Sequence, residues 1–358
     1  MFPLKRAAGV VFLTTSFFIQ PCTLNRNLDD KIQKTTFMEY NIDEEEANLK
    51  CSNAAKIHAS DFFFYACESD ITPSLISNLE YIAAVKKYAK ERFEMEQTSN
   101  YVIYKNRSTD FPKTEYRLYM APEFAIPQKF ENFMYIPQRG NYTIDIGSHA
   151  IFYSLDEQFI NDEVYYKSKG YDTLRMVITN FNDGCNLDPV FFSKDPISQA
   201  NLVLHEDWHE TTRSTGRDSM LDESISTLIG NIGAIDFTRE YFGENSREHN
   251  EAIKKLAFWV DFSEKVVEYN SRLQDLYKKD IPRGQKLIMK SKILSEFGGN
   301  EINNSYIWAY LPYTKNFLLL YEVYKKNPDI DKLLEILSGI PKSENKGVKY
   351  LEDILKSE

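Results

Sequence analysis

Two of the chain's five histidines stand four residues apart in Leu204-His205-Glu206-Asp207-Trp208-His209. On an α-helix that spacing places both imidazoles on one face, a turn apart, where they can reach a single ion. Zinc takes neutral imidazole nitrogen at about 2.0–2.1 Å, and a catalytic zinc site uses three protein ligands while a fourth position stays open to water. Glu206 follows the first histidine and is turned about 100° from it around the helix. Its carboxylate then sits beside the ligands, placed to take a proton from water. The plain alternative is a solvated polar helix face. A third ligand is expected from the next helical stretch, Leu221-Asp222-Glu223-Ser224-Ile225-Ser226-Thr227. Glu223, Thr227, Gly230 and Ala234 share one face, and the small residues behind the carboxylate let two helices approach closely. The flank with Leu221, Ile225, Leu228 and Ile232 is ordinary core. Glu223 is thus the expected ligand, Asp222 the fallback, and Thr227 a candidate for orienting a ligand by a hydrogen bond. An acid in a first helical turn also favours the helix dipole, which is the plain reading of Glu223.

The elements that must carry these residues are legible from periodicity. Apolar positions Leu75, Leu79, Ile82, Val85, Ala89 and Phe93 follow helical spacing behind a Thr72 cap, so a long amphipathic helix is expected from Pro73 to about Gln97. Short β-branched and aromatic runs at 101–104, 116–120, 151–153 and 174–178 read as strands, interrupted by a helix over 155–168 that stops at Gly170. From Pro196 onward the pattern is helical: 196–211, 221–241, 246–279, 284–297, 302–326 and 329–338. The expected architecture is α+β, a strand-containing N-terminal half packed on a mainly helical C-terminal half.

Composition sets the outer bounds. The chain has 358 residues, of which 42% are hydrophobic and 14% aromatic, enough for a sizeable core. The net charge of −10, with no long basic run to offset it, argues against a nucleic-acid partner. Lys5 and Arg6 followed by the apolar stretch Ala7–Ile19 read as an export signal, too short to span a bilayer comfortably. Cys22 then stands where a bacterial lipoprotein would be cut and lipidated, although Gln20-Pro21 departs from the usual small residues; the alternatives are an uncleaved anchor and a signal cleaved elsewhere. Residues 1–22 are taken as signal, 23–72 as polar tether and approach, 73–340 as one catalytic domain and 341–358 as a C-terminal tail. Cys51 and Cys67 could close a short loop in an oxidising compartment, leaving Cys185 free.

Leu202-Val203-Leu204-His205-Glu206-Asp207-Trp208-His209, followed by Leu221-Asp222-Glu223-Ser224-Ile225-Ser226-Thr227 and Gly233-Ala234, resembles a bacterial family of zinc-dependent aminopeptidases whose members read H-E-L-A-H and then F-N-E-S-F-A-T. Tyr119-Met120-Ala121-Pro122-Glu123-Phe124, Gly170-Tyr171-Asp172, Asp188-Pro189, Asn303-Asn304 and Tyr310 fall in the family's order, so the resemblance covers about residues 74–340. The ligand set is similar to that of the thermolysin-like gluzincins, with a shorter spacing to the third ligand. The resemblance implies a zincin-like helical half, His205, His209 and Glu223 as Zn2+ ligands, Glu206 as the catalytic carboxylate, and a lipoprotein-type signal. Two departures stand out. Asp207-Trp208 replaces a small apolar pair, and Asp222 replaces Asn.

The function expected from all this is a zinc metallopeptidase, an aminopeptidase by the family's label, acting on peptides and exported to the bacterial cell envelope on an N-terminal lipid or anchor. Tyr310 is the candidate donor to the oxyanion, and Glu123 a candidate for holding a substrate's free amine. His149 could line the cleft, while His58 and His249 read as surface residues. The alternatives are another zinc hydrolase, an endopeptidase or amidase, and a surface lipoprotein with a non-catalytic metal site.

Overall fold

The structure is a computed structural model that describes residues 54–59, 62–67, 71–96, 98–105, 115–128, 149–153, 156–178, 186–212, 219–298 and 302–357. The export signal, Cys22, Cys51 and Cys185 lie outside the described residues, as does the side chain of Cys67, and with them the expected lipid site and disulfide.

Strand β1 (Ala54–Ala59) pairs antiparallel with β2 (Phe62–Cys67), from Ala54 opposite Cys67 to Ala59 opposite Phe62. These strands fall in the stretch read from sequence as tether and approach. The run Phe62-Phe63-Phe64-Tyr65-Ala66 is apolar throughout, so it lacks the period-2 alternation by which a half-buried strand is recognised. Phe64 and Ala66 enter the main core, while Tyr65 packs with Val102 and Ile103. Helix α1 (Pro73–Phe93) begins as expected: the Thr72 hydroxyl accepts from Leu75 N at 3.1 Å, and Leu75, Leu79, Ile82, Val85, Ala89 and Phe93 are all buried. The chain then returns as β3 (Ile103–Tyr104), parallel to β2, and Tyr104 bridges to Leu187.

A second sheet has β4 (Glu115–Pro122) between β5 (His149–Tyr153) and β6 (Tyr171–Ile178), antiparallel to both, with α2 (Asp156–Ser168) joining β5 to β6. The rest is helical: α3 (Pro189–Phe192), α4 (Pro196–Thr212), α5 (Ser219–Phe242), α6 (Arg247–Tyr277), α7 (Arg283–Phe297), α8 (Asn304–Thr314), α9 (Phe317–Lys326), α10 (Ile330–Ser338) and α11 (Glu344–Lys356). The molecule is α+β, as expected. The single helix expected over 302–326 is two, α8 and α9. Ser224 Oγ holds the break by donating to Pro312 O at 2.8 Å and accepting from Asn316 N at 3.3 Å. The residues taken as a tail form α11, whose Leu351 is fully buried in the main core. No helix among the described residues is long and apolar enough to cross a membrane.

Two apolar clusters result. One gathers β2, α1, α4, α5 and the C-terminal helices; the other joins the second sheet to α6, α7 and α8. The sheet is stitched to the start of α8 by hydrogen bonds: Asn304 Nδ2 donates to Pro122 O, Asn304 N to Asp172 Oδ2, and Asn303 Nδ2 to Thr173 O, each at 2.8 Å.

Candidate metal centre

Helix α4 starts behind Asp195, whose carboxylate caps Ser198 N at 3.1 Å, and its Ala200, Val203 and Leu204 lie in the core. Helix α5 crosses it at very short range. A Cβ on Gly230 would lie 2.9 Å from the Asn201 backbone oxygen, and one on Gly233 2.8 Å from Leu204 Cδ1. Only glycine lets the two backbones come this close, which is the purpose the small-residue stripe implied. The approach carries Glu223 from the first turns of α5 to the histidines of α4.

His205, His209 and Glu223 form a cluster whose ligand atoms make a nearly equilateral triangle. His209 Nε2 is 3.0 Å from His205 Nε2 and 3.3 Å from Glu223 Oε2, and His205 Nε2 is 3.4 Å from Glu223 Oε2. Ligands about 2.0–2.1 Å from a tetrahedral ion are separated by about 3.3 Å, so the triangle has the size of one tetrahedral face. The donor set fits a divalent metal of the zinc type. His205 Nδ1 is buried with no hydrogen-bond partner, so that ring's bonding capacity is directed through Nε2 into the cluster.

Electrostatics are consistent with this. Complete burial pushes His205 down to about 4, keeping its imidazole neutral, as a ligand must be. Burial also opposes a charge on His209, but Glu223 and Asp222 outweigh it and raise that imidazole well above its usual value. Burial alone would raise Glu223; His209 and His205 reverse the effect and hold it at about 2. Without a cation, the proton on His209 provides the positive charge that the cluster calls for.

Asp222, the fallback ligand of the sequence reading, takes a different place. Its Oδ2 lies 2.8 Å from His209 Nδ1, on the side of the ring away from the cluster, and Ser226 Oγ approaches the same nitrogen at 3.2 Å. Thr227, expected to orient a ligand, instead donates to the Glu223 backbone oxygen at 2.7 Å. Ser226 was missed; its i+4 relation to Asp222 on the same helix was the available signal.

The charge inside the motif is also answered. Asp207 is buried against Lys86 of α1, whose Nζ lies 2.9 Å from Oδ2, and it accepts a very short bond from Thr98 Oγ1. Trp208 is buried in the main core. Glu206 is buried on the turn between the two histidines, and its backbone carbonyl accepts from Asn100 Nδ2 at 3.2 Å.

Other candidates fall elsewhere. Tyr310 packs against Phe262 and Tyr306, with ring centroids at 5.0 and 4.9 Å, and its hydroxyl shares a hydrogen bond with that of Tyr306. Tyr313, one turn on, is the tyrosine whose ring lies by His205, at 6.3 Å. Glu123 is held by Arg283, with N···O distances of 3.0 and 3.1 Å, and lines a polar cavity with Asp172, Lys290 and Asn303 rather than with the metal ligands. His149 opens β5 opposite Met120. His58 is exposed, as expected, but His249 is buried and bonded to Ile235 O at 3.0 Å, because the start of α6 folds back on α5.

A family model described as "Putative aminopeptidase" matches residues 67–328. No curated protein and no solved structure matches the chain.

Proposed function

The chain belongs to this family of putative aminopeptidases, and from that premise we propose that it is a zinc-dependent peptidase that cleaves residues from the free amino end of peptides. The observation that carries the reading is the triangle of His205, His209 and Glu223 atoms 3.0–3.4 Å apart, with Glu206 on the turn between the histidines. His205, His209 and Glu223 would hold the metal, and Asp222 would fix the ring of His209. Zinc bound there would supply Lewis acidity, polarising a carbonyl oxygen and making water more acidic. Glu206 takes the proton from the attacking water and returns it to the departing amine. Burial of Glu206 on a packed helix limits competing water around it.

One observation favours a second reading. Glu123, the acid expected to hold a free amine, is engaged with Arg283, and without such a group an endopeptidase or amidase fits the same site. Export on a lipid at Cys22 is proposed from the sequence pattern alone.

The test is metal analysis of the purified full chain, together with hydrolysis of free-amine and amino-blocked peptides. Stoichiometric zinc and cleavage of the free-amine set alone are expected. Glu206→Gln should keep its zinc and lose activity by about 10²–10⁴-fold. Full activity in Glu206→Gln, or His205→Ala without effect on metal content, would sink the reading.

A further inference from the structure

The segment after α1 lies along the turn of α4 that carries Glu206. Glu96 N donates to Thr211 Oγ1 at 3.1 Å, Thr98 Oγ1 to the Asp207 carboxylate, and Asn100 Nδ2 to Glu206 O at 3.2 Å. The strap is therefore pinned at three places, and the next residue is Tyr101.

Tyr101 is unusual in two independent ways. Its φ of 57° lies in the left-handed region, which an L side chain of this bulk enters only at an energetic penalty and which Gly or Asn would occupy with far less strain. Its ring is buried, packed on Phe191 with centroids 5.0 Å apart. Yet its hydroxyl has no hydrogen-bond partner among the described residues, and it is not one of the buried polar atoms sealed from solvent. Buried phenols ordinarily find a partner. Burial first, then the charges of Glu206, Asp207 and Asp188 in that order, hold the phenol proton well above its usual value, so the group stays a donor.

Backbone strain at a buried residue, together with a hydroxyl that reaches solvent without a protein partner beside the turn that carries the base, belongs where a ligand completes the arrangement. We propose that the Tyr101 hydroxyl donates a hydrogen bond to the scissile carbonyl oxygen of the substrate. This rests on the peptidase reading above. It is an alternative to Tyr310, whose ring packs on Tyr306 and Phe262. As the water oxygen bonds to the carbonyl carbon, the C=O π electrons move onto the oxygen, and the bond from Tyr101 strengthens with that charge. The water proton goes to Glu206. When the carbonyl re-forms, the C–N bond breaks and the amine leaves with the proton from Glu206. Tyr101 keeps its own proton throughout.

The experiment compares the full zinc-loaded chain with its Tyr101→Phe variant on alanyl, leucyl and lysyl 4-nitroanilides, and measures binding of a phosphinic tripeptide whose tetrahedral phosphorus carries oxygens where the oxyanion would form. Tyr101→Phe should keep its zinc and melting temperature, lose about 10²–10³-fold in kcat with little change in KM, and bind the phosphinic peptide about 10²-fold more weakly. Unchanged kcat and phosphinic affinity in Tyr101→Phe would overturn the proposal while leaving the peptidase reading intact. Loss of zinc and fold together with activity would overturn it in favour of a structural strap. A native chain that neither hydrolyses any anilide nor binds the phosphinic peptide would overturn the peptidase reading itself.

Discussion

His209 uses both ring nitrogens, Nδ1 toward Asp222 and Nε2 toward His205 and Glu223. In the metal-free chain this makes it the carrier of a proton that a cation must displace, and the consequence for pH has a definite sign. His209 is raised above its unfolded value, so its contribution to stability is full below about 6.5 and is lost as pH rises through the higher folded value. Glu223 is lowered to about 2, so its contribution is present above the unfolded value and disappears as pH falls toward 2. The metal-free protein should therefore lose stability on the alkaline side, where added zinc restores it. Near neutral pH, zinc binding should release on the order of one proton, seen as a calorimetric binding heat that depends on the buffer's ionisation enthalpy. A heat independent of buffer would contradict the protonated His209.

Between elements, the buried Lys86–Asp207 pair ties α1 to the motif helix. Removing one partner from a buried ion pair leaves an uncompensated charge, and Lys86→Met should destabilise the fold by about 3–5 kcal/mol. Lys86→Met combined with Asp207→Leu should recover most of that loss, because two apolar side chains carry no stranded charge. Urea denaturation of the three variants checks this, and equal losses in the single and double variants would contradict it. The pairing was half legible. An acid inside a buried helix calls for a cation, and Lys86 lies four residues beyond Ile82 on the buried face of α1, but only packing brings the two helices together. The same holds for α4 and α5: the stripe of Gly230 and Ala234 announced a close approach, and the register that sets Gly230 on Asn201 came from the fold.

Across the whole molecule, the His205–His209–Glu223 cluster lies between helices whose other faces build the main core, and the last helix closes that core. Leu351 of α11 is fully buried there, so Leu351→Ala should cost about 2–5 kcal/mol. A shift in the thermal midpoint measures it, and an unchanged midpoint would mean that the helix is not part of the cooperative unit. The residues were read as a tail although Val348, Leu351, Ile354 and Leu355 recur at helical spacing, so the pattern for this helix was present in the sequence. The Asn303-Asn304 and Tyr171-Asp172 motifs were visible as text, but their work is structural: they bind the second sheet to the start of α8.

The sequence by itself determined the α+β class, the position of most helices and the two histidines one turn apart, since these follow from local periodicity and from spacing along one helix. Glu223 was within its reach because a small-residue stripe leaves a pattern. Tertiary structure alone decided that Asp222 backs His209 instead of joining it, that Glu123 turns to Arg283, that Tyr310 packs on Tyr306, and that Asn100, next to Tyr101, bonds the Glu206 carbonyl. Each of these depends on contacts between residues far apart in the chain, and the distance between their side chains is fixed by packing, which no local pattern encodes.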